Sequence, residues 1–418
     1  MEGKTLSEKI IGEHCGRDVS AGEVVVVNVD LSYVQDGTGP LTVRRMIEMG
    51  IEKAYNPDKT VFYLDHASPS PRMELSNDHE FLREFAGKSG IILSDIGNGI
   101  SHHVTLEKYA RPGDIIIGAD SHTCTGGALG AFATGMGSTD VAVAIALGKT
   151  WMRVPETYIV EVNGRLQKGV YSKDIILHLI GKLTSNGATY KSLEFTGDTI
   201  AGLSTAARST IGNMAVEAGA KVGLFPPDNE TRKFLKLMGR EEAFRELRSD
   251  EDADFEKHIE INAEELEPTI ACPHLVDNTK TISELGKVKV DQVFIGTSCN
   301  GRLEDLHIAA SILKGNRINR DTRVIVTPAS RRVYLEALRD GTIETFVEAG
   351  ALVTTPGCGA CDGVHLGILG DGEVCLATQP RNFKGRMGDP NAFIYLGSPA
   401  VAAATALTGE ISDPRDVM

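Results

Sequence analysis

The segment GDIIIGADSHT, residues 113–123, indicates the fold class of this chain. Its run of three isoleucines predicts a strand that is buried on both faces, as in a parallel sheet covered by helices. The strand stops at Asp120, Ser121 and His122, which are polar residues that a buried strand would not carry. Because ligands of open α/β sheets bind beyond the carboxyl ends of the strands, this end is a candidate functional site.

Other stretches repeat this arrangement of an apolar run that ends in polar residues. They are TVFYLDH (60–66), which ends at Asp65 and His66, VDQVFIGTSCNGR (290–302), which runs into Cys299, ALVTTPGCGAC (351–361) and EVCLATQPRNFKGR (373–386). Helical patterns lie between them, for example from about Leu303 to Leu313. The alternation predicts an α/β fold with mostly parallel sheets.

The length of 418 residues is enough for two or three domains. The acidic segment 239–268 is poor in large apolar residues and predicts a solvated surface that leads to a boundary near residue 280. We therefore expect an N-terminal lobe of residues 1–280, with two subdomains, and a C-terminal lobe of residues 281–418.

Composition excludes several classes of protein. The net charge of −14, with no compensating basic block, would repel nucleic acid. No apolar run reaches the roughly 18 to 20 residues of a membrane span, and the charged start MEGKTLSEKI does not match a secretory signal. Seven thinly spread cysteines are not a disulfide framework. We expect a cytoplasmic protein with no membrane or nucleic-acid partner.

Cys358 and Cys361 form a CxxC motif between glycines. A thioredoxin-type redox pair would lie at a helix start early in a βαβ unit, and this motif lies near the C-terminus. A zinc site needs further ligands, and the nearest are Cys272 and His274. An iron–sulfur cluster needs close backbone approach, which the glycines permit. These residues leave a cluster, a zinc site and a buried inert pair open.

Cys299 favours the cluster, because it lies at a strand end in a polar turn that a core cysteine would not need. Three cysteines would leave one iron of a four-iron cluster without a protein ligand. An open metal position of this kind is typical of a Lewis acid.

Histidines and carboxylates also meet at the predicted strand ends. Asp65 precedes His66, Asp120 is close to His122, and His102 lies in the segment GISHHVTLE. Acid–base catalysis needs imidazoles that carboxylates orient, so this set is a candidate for proton transfer.

Two arginines, Arg381 and Arg386, lie on one loop, RNFKGR. Guanidinium groups bind carboxylates through two parallel hydrogen bonds, so the loop predicts a di- or tricarboxylate substrate. Two ordinary surface arginines are the alternative.

Taken together, GADSHTCTGGALGAFATG (118–135), the NGR turn after Cys299, the CxxC and RNFKGR closely resemble the aconitase superfamily. The similarity is to the large subunits of its 3-isopropylmalate dehydratase and homoaconitase group, and it runs nearly end to end. The resemblance implies three-layer α/β/α domains of the aconitase type, domains one to three, without the swivelling fourth domain. It also implies one [4Fe-4S] cluster per subunit, held by Cys299, Cys358 and Cys361.

The resemblance further implies roles for individual residues. The histidine–carboxylate pairs would be Asp65 with His66, Asp120 with His102, and Glu194 with His122, while Ser121, Arg381 and Arg386 would bind substrate. A separate small subunit would carry the swivelling domain and the serine base.

The implied activity is that of a hydro-lyase acting on a malate-type 2-hydroxy acid, in amino-acid biosynthesis. 3-Isopropylmalate, in leucine biosynthesis, is the leading substrate. Homoaconitate, 2-methylmalate and 2,3-dimethylmalate are alternatives. The alternative from another class is a non-catalytic zinc protein or an iron–sulfur sensor that binds RNA, although the acidic charge counts against RNA.

The sequence departs from the family pattern near the substrate. The family usually reads Ser-Cys-Thr-Asn-Gly-Arg where this chain has Thr297-Ser298-Cys299-Asn300-Gly301-Arg302, so the cysteine is one residue nearer the asparagine. Pro380 stands where the family has an asparagine, and His102-His103 where it has His-Gln.

Overall fold

The computed structural model describes residues 3–418, and within them the chain forms four β-sheets. Three sheets have at least four strands, and each belongs to a unit in which helices pack on the sheet. The remaining sheet is a two-stranded antiparallel ribbon. This architecture confirms the predicted α/β class.

The first unit contains a five-stranded sheet in which all neighbouring strands are parallel. Its strands, with the two of the ribbon, are β1 Val24–Asn28, β2 Leu31–Gln35, β3 Thr60–Tyr63, β4 Ile92–Ser94, β5 Ile115–Gly118, β6 Phe132–Gly135 and β7 Lys149–Arg153. Its helices are α1 Leu6–Cys15, α2 Gly39–Glu48, α3 Met73–Ser89, α4 Ser101–Lys108 and α5 Ser138–Leu147. The sheet order is β4-β3-β2-β5-β6, and every residue of β3 and β5 is buried, as the apolar runs predict.

The second unit has a four-stranded parallel sheet in the order β10-β9-β8-β11. Its strands are β8 Thr157–Asn163, β9 Ser192–Thr196, β10 Val222–Leu224 and β11 Lys257–Asn262. Its helices are α6 Ser172–Leu183, α7 Asp198–Gly202, α8 Thr205–Met214 and α9 Asn229–Leu237.

The third unit has a seven-stranded mixed sheet in the order β13-β12-β18-β17-β14-β15-β16. Its strands are β12 Thr269–Ala271, β13 Thr279–Thr281, β14 Gln292–Gly296, β15 Arg323–Thr327, β16 Leu352–Val353, β17 Val374–Ala377 and β18 Phe393–Leu396. Its helices are α10 Thr297–Asn300, α11 Leu303–Leu313, α12 Arg331–Arg339, α13 Thr342–Ala349 and α14 Pro399–Thr408. Only β12 is reversed, since it pairs antiparallel with both β13 and β18, so the sheets are mostly parallel, as predicted.

Strand β14 passes directly into the short helix α10. Gly296 joins them with φ of 153°, and a Cβ at this position would lie 2.5 Å from the Thr327 carbonyl oxygen. Only glycine fits this close approach. The polar turn expected after the strand is therefore a helical turn. In a helical turn the side chains of Ser298 and Cys299 point in different directions.

The first and third units meet through backbone hydrogen bonds at the carboxyl ends of their strands. The amide of Cys358 donates to the Asp65 carbonyl at 2.8 Å, and the amide of Ile100 donates to the Ala329 carbonyl at 2.9 Å. The loop after β3 is thereby attached to the loop that carries the CxxC. The strand ends expected to share one crevice do share it.

Strand β12 and most of β13 precede residue 281 but belong to the sheet of the third unit. The boundary expected at residues 280 and 281 therefore falls inside β13. The acidic segment 239–268 contains β11, whose Ile259 and Ile261 are buried while its other side chains are exposed. This segment is thus an amphipathic edge strand with its flanking loops.

Candidate active site

A small cavity of about 50 Å³ lies where the strand ends of the first and third units meet. Its lining comes from the end of β2, the loops after β3 and β5, the start of α4, helix α10, the CxxC loop and the loop after β17. The lining residues are Gln35, His66, Ile100, His102, Asp120, Ser121, His122, Ser298, Cys358, Cys361, Asp362, Pro380, Arg381 and Arg386. Most of the residues predicted from the sequence therefore lie around one space. The exceptions are Asp65, which lies behind His66, Glu194 and Cys299.

Asp120 is at the centre of a cluster of three histidines. Its Oδ1 lies 3.2 Å from His102 Nε2, its Oδ2 lies 3.5 Å from His66 Nε2, and His122 Nδ1 is 3.7 Å from Oδ1. Burial raises the pKa of Asp120, but the three imidazoles outweigh burial and hold that pKa well below its usual range. Asp120 is therefore an anion that can stabilise protonated histidines.

His66 is held between two carboxylates. Its Nδ1 is 2.9 Å from Asp65 Oδ1, and Asp65 Oδ2 accepts a hydrogen bond from the Ser101 amide at 2.6 Å. Burial lowers the pKa of His66, but Asp65 and Asp120 outweigh it and raise the pKa well above its usual range. The raised pKa favours a protonated His66 at neutral pH, and the structure brings the predicted Asp65–His66 pair together.

His102 is oriented by a group that the sequence did not identify. Its Nδ1 lies 3.0 Å from the hydroxyl of Tyr33, which is fully buried on β2. The hydrogen bond fixes the ring so that Nε2 points at Asp120. The two ring nitrogens of His102 therefore have separate partners, as expected of an imidazole that transfers a proton in a fixed direction.

The predicted pairing of Glu194 with His122 is not formed. His122 Nε2 lies 2.9 Å from Glu217 Oε1, whereas both carboxylate oxygens of Glu194 accept hydrogen bonds from Ser249 Oγ, at 2.9 and 2.7 Å. Glu194 is on β9 in the second sheet, and burial raises its pKa to about 6. The partner of His122 is Glu217, in the short 3-10 turn Ala215–Ala218 after α8.

Glu217 was missed because it follows no strand and belongs to no motif. The one signal in the sequence is a lone acid within the small and apolar run NMAVEAGA, residues 213–220. A second missed residue is Asp36, whose oxygens accept hydrogen bonds from the amides of His66 at 2.8 Å and Ala67 at 2.9 Å. Asp36 directly follows β2, so the strand-end rule could have found it.

Each predicted substrate arginine lines the cavity and has an acidic partner. Arg381 donates from Nε to Glu217 Oε1 at 2.8 Å, and Arg386 Nη1 lies 2.8 Å from Asp362 Oδ1. The remaining guanidinium N–H groups of Arg381 can face a carboxylate ligand. Arg386 also lies 3.4 Å from Cys361 Sγ.

Cys358 and Cys361 are buried beside each other in the CxxC loop. A hydrogen bond from Cys358 lowers the pKa of Cys361 to about 5, with Arg386 adding to the effect, and the same hydrogen bond raises the pKa of Cys358. The lowered pKa favours the thiolate form of Cys361, which is the form that binds metal.

Cys299 points away from the cavity. Its Sγ accepts a hydrogen bond at 3.1 Å from the ammonium group of Lys173, which also donates to the carbonyls of Thr378 at 2.9 Å and Gln379 at 3.0 Å. Ser298, one residue earlier, lines the cavity instead. The structure thus does not bring Cys299 together with the two CxxC thiols. The one-residue shift in the motif was the signal in the sequence.

The donor atoms of His66, His102 and Asp120 lie within 4.8 Å of one another. They could also hold a metal ion, although in this structure they pair with each other. Within residues 3–418, no helix combines the length and apolarity needed to cross a bilayer.

Acid–base residues, thiols and arginines thus lie together where two sheets meet, and comparison with known proteins shows which family has this arrangement. The chain belongs to the aconitase family: the sequence model of that family (aconitate hydratase) matches residues 8–287 and 276–409. The fold is similar to the crystal structure of Thermococcus kodakaraensis aconitase X in its holo-form, with a TM-score of 0.52 and 15% identity. That alignment covers 92% of this chain and 94% of the other.

Within the family, the chain is similar to 3-isopropylmalate dehydratase large subunits. It is 61% identical over 415 residues to that of Elusimicrobium minutum and 59% identical to large subunit 1 of Thermotoga maritima, covering 99% of each chain in both comparisons. It is 56% identical over 416 residues to large subunit 2 of Archaeoglobus fulgidus, covering 100% of each chain. These relatives confirm the predicted family and the prediction of a hydro-lyase large subunit.

Membership of the aconitase family implies an iron–sulfur cluster. The side chains around the cavity can therefore be tested as ligands of such a cluster. The buried Cys358 and Cys361 fit, because the pKa of Cys361 is lowered toward the thiolate form and the Arg386 guanidinium beside it offsets added negative charge. Arg386 Nε is buried without a partner, so the cavity also has a free donor for an acceptor atom. Cys299 does not fit, because its sulfur is bonded to Lys173 outside the cavity.

Proposed function

We propose that the chain is the large, iron–sulfur subunit of a 3-isopropylmalate dehydratase. This hydro-lyase removes water from a malate-type 2-hydroxy acid and adds it back at the neighbouring carbon. The observation that carries the proposal is one cavity lined by His66, His102 and Asp120, the CxxC thiols and two arginines. The names of the relatives support the choice of 3-isopropylmalate over homoaconitate and the methylmalates, and they do not favour a non-catalytic sensor.

We propose a [4Fe-4S] cluster at Cys358 and Cys361, since the buried thiolate and the flanking glycines suit close approach of a cluster. When bound, the cluster supplies a Lewis acid that makes the substrate hydroxyl a better leaving group. All other steps need groups of the protein.

Arg381 and Arg386 bind and orient the carboxylates of the substrate. Their forks suit bidentate recognition, and their acidic partners Glu217 and Asp362 hold each side chain in place. Ser121 lies in the same lining and offers a hydroxyl to the substrate.

The proton for the departing hydroxyl comes from the histidines around Asp120. His66 is protonated, Asp120 is ionised, and His102 Nε2 lies 3.2 Å from Asp120 Oδ1, so a proton can be held and passed among the three groups. Asp65 keeps His66 in position through the hydrogen bond to Nδ1. Glu217 does the same for His122.

A separate small subunit completes the enzyme, as the "large subunit" names of the relatives support. The cavity of about 50 Å³ is far smaller than the roughly 300 Å³ at the lower end of small-ligand sites. Part of the substrate must therefore extend beyond this cavity, toward a surface that the partner would cover. The partner would also supply the base for the C–H bond. The free cysteines suit a reducing compartment, so we place the enzyme in the cytoplasm.

The test is an assay of the anaerobically purified chain with and without its small subunit. We expect dehydration of 3-isopropylmalate, followed by the ultraviolet absorbance of the unsaturated acid, only when both subunits are present. Cys358→Ala should remove both iron and activity, and Cys15→Ala, at a partly exposed cysteine distant in sequence from the CxxC, should keep both. Equal turnover of homocitrate-type substrates would contradict the choice of substrate, and stoichiometric zinc without sulfide would contradict the cluster.

A further inference from the structure

We infer that Ser298 Oγ, and not Cys299 Sγ, is the third protein donor that faces the metal centre beside Cys358 and Cys361. The inference rests on the proposed iron–sulfur function of the cavity. Ser298 lines the cavity together with both CxxC cysteines, whereas Cys299 is fully buried outside it. The donor set on this side is therefore two thiols and one hydroxyl.

Helical geometry explains why the two neighbours point in different directions. Both lie in α10, and successive side chains of an α-helix are about 100° apart. The backbone of this turn is fixed on both sides. Arg302 Nη2 donates to the Ser298 carbonyl at 2.6 Å, and Thr210 Oγ1 donates to the Cys299 carbonyl at 2.9 Å. A rotation that exchanged the two side chains would break both hydrogen bonds.

In its observed position, Cys299 accepts a hydrogen bond from a buried lysine. Lys173 is completely buried, and its ammonium group has three acceptors, namely Cys299 Sγ and the carbonyls of Thr378 and Gln379. An ammonium group buried without full hydrogen bonding is costly. Turning the sulfur toward the cavity would leave one ammonium proton without an acceptor. Lys173 therefore holds Cys299 away from the metal.

Ser298 is the residue of this turn that is available to iron. Its Oγ has one long contact, with Asn213 Nδ2 at 3.4 Å, so coordination would disrupt little. Binding forms one Fe–Oγ bond and releases the hydroxyl proton to water, with no electron transferred. Oxygen is a harder donor than a thiolate, so this position should hold iron less tightly than a cysteine would.

The experiment uses the full chain, reconstituted with iron and sulfide without air. Iron and acid-labile sulfide per chain, visible absorbance, electron paramagnetic resonance of the reduced sample and iron loss to a chelator are measured. Cys299→Ser keeps an acceptor for Lys173 and should match the wild type in all four. Ser298→Ala should lose iron about tenfold faster or more, since even outer-sphere changes cost about 10- to 100-fold in metal affinity. Ser298→Cys should lose iron more slowly than the wild type.

The variants distinguish a failure of this inference from a failure of the proposed function. A wild-type chain that binds no cluster, like Cys358→Ala, would contradict the proposed function and the inference with it. A second outcome would overturn only the inference and leave the proposed function standing. In that outcome the wild-type chain binds a cluster, whereas Cys299→Ser loses it although its thermal melt is unchanged. If Cys299→Ser does not fold, Ser298→Ala and Ser298→Cys decide the question, because both leave the Lys173–Cys299 hydrogen bond in place. A Ser298→Ala variant that retains iron as the wild type does would also overturn the inference.

Discussion

Arg381 donates its Nε–H to Glu217 at 2.8 Å, and the same carboxylate oxygen lies 2.9 Å from His122 Nε2. One buried acid therefore positions both Arg381, which we propose binds a substrate carboxylate, and His122 of the histidine cluster. Burial raises the pKa of Glu217, but His122 and Arg381 outweigh burial and lower it, so the acid is ionised. This anion therefore links the two functions that we propose for the site, carboxylate binding and proton transfer.

Replacing Glu217 should impair both functions at once. In the two-subunit enzyme, Glu217→Gln removes the charge that holds Arg381 and His122, and we expect kcat/KM to fall about tenfold or more, or about 1.4 kcal/mol. Both KM and kcat should change, because binding and proton transfer share this residue. Steady-state kinetics with 3-isopropylmalate measures the effect.

Glu194→Gln is the matched control. It makes the same substitution at Glu194, the residue that the sequence analysis paired with His122. Glu194 is hydrogen-bonded to Ser249 in the second unit, so its variant should keep near-normal kinetics. A large loss in Glu194→Gln together with normal kinetics in Glu217→Gln would restore the pairing predicted from the sequence.

Arg381→Lys tests whether the guanidinium fork is needed or only its charge. Lysine keeps the positive charge but cannot hold Glu217 and a substrate carboxylate together in one plane. We expect kcat/KM to fall about tenfold or more, mainly through KM.

The control for this change is Arg323→Lys, whose exposed side chain pairs with Glu373 at 2.7 Å away from the cavity. It should have normal kinetics, since exposed ion pairs contribute little. Kinetics of Arg381→Lys that equal those of the wild type would remove Arg381 from the substrate site.

The parts of this site that the sequence predicted are those determined by local pattern. The runs before Asp65 and Asp120 are continuous and apolar, so strands and strand ends were recognisable, and parallel pairing brings their ends to one edge. Glu217 could not be paired with His122 from the sequence, because 95 residues separate them and only packing of α8 on the neighbouring loop joins them. No periodic pattern in the sequence indicates a contact between two such distant residues.

The shifted motif marked Cys299 as a departure, but the direction of its side chain could not be derived from the sequence, for a different reason. The sequence identified a strand end, but it did not show that the chain continues there as a helical turn. In a helical turn, a shift of one residue turns the side chain by about 100°. Lys173, which holds the sulfur, lies 126 residues earlier on α6 and carries no motif.

Glu107 should make the free energy of unfolding depend on pH, because its carboxylate joins the first and third units. On α4, its Oε1 accepts hydrogen bonds from Ser330 Oγ and Arg332 Nε, each at 2.8 Å. Burial opposes ionisation, but His103, Arg332 and Ser330 outweigh it and lower the pKa of Glu107 from 4.5 to about 2. A lowered carboxyl pKa stabilises the folded state above pH 4.5, and this stability is lost as the pH falls through about 2.

Glu107→Gln should therefore reduce the free energy of unfolding at neutral pH by at most about 3 kcal/mol, and the difference from the wild type should shrink below pH about 4. Denaturant titrations at several pH values measure this. Glu336→Gln, at the other and more exposed partner of Arg332, should cost much less. A constant difference between Glu107→Gln and the wild type from neutral pH to pH 3 would show that the ionisation of Glu107 contributes nothing.

His102 should affect the chemical step more than binding, because Tyr33 and Asp120 hold both of its ring nitrogens while the arginines lie on another loop. In the two-subunit enzyme, His102→Ala should lower kcat by about 100-fold or more with a small change in KM. Tyr33→Phe keeps the ring packing and removes only the 3.0 Å hydrogen bond, so its kcat should fall less. His178→Ala, at an exposed histidine on α6, should be normal. A fall confined to KM in His102→Ala would assign that histidine to substrate binding, and a normal kcat would remove it from proton transfer.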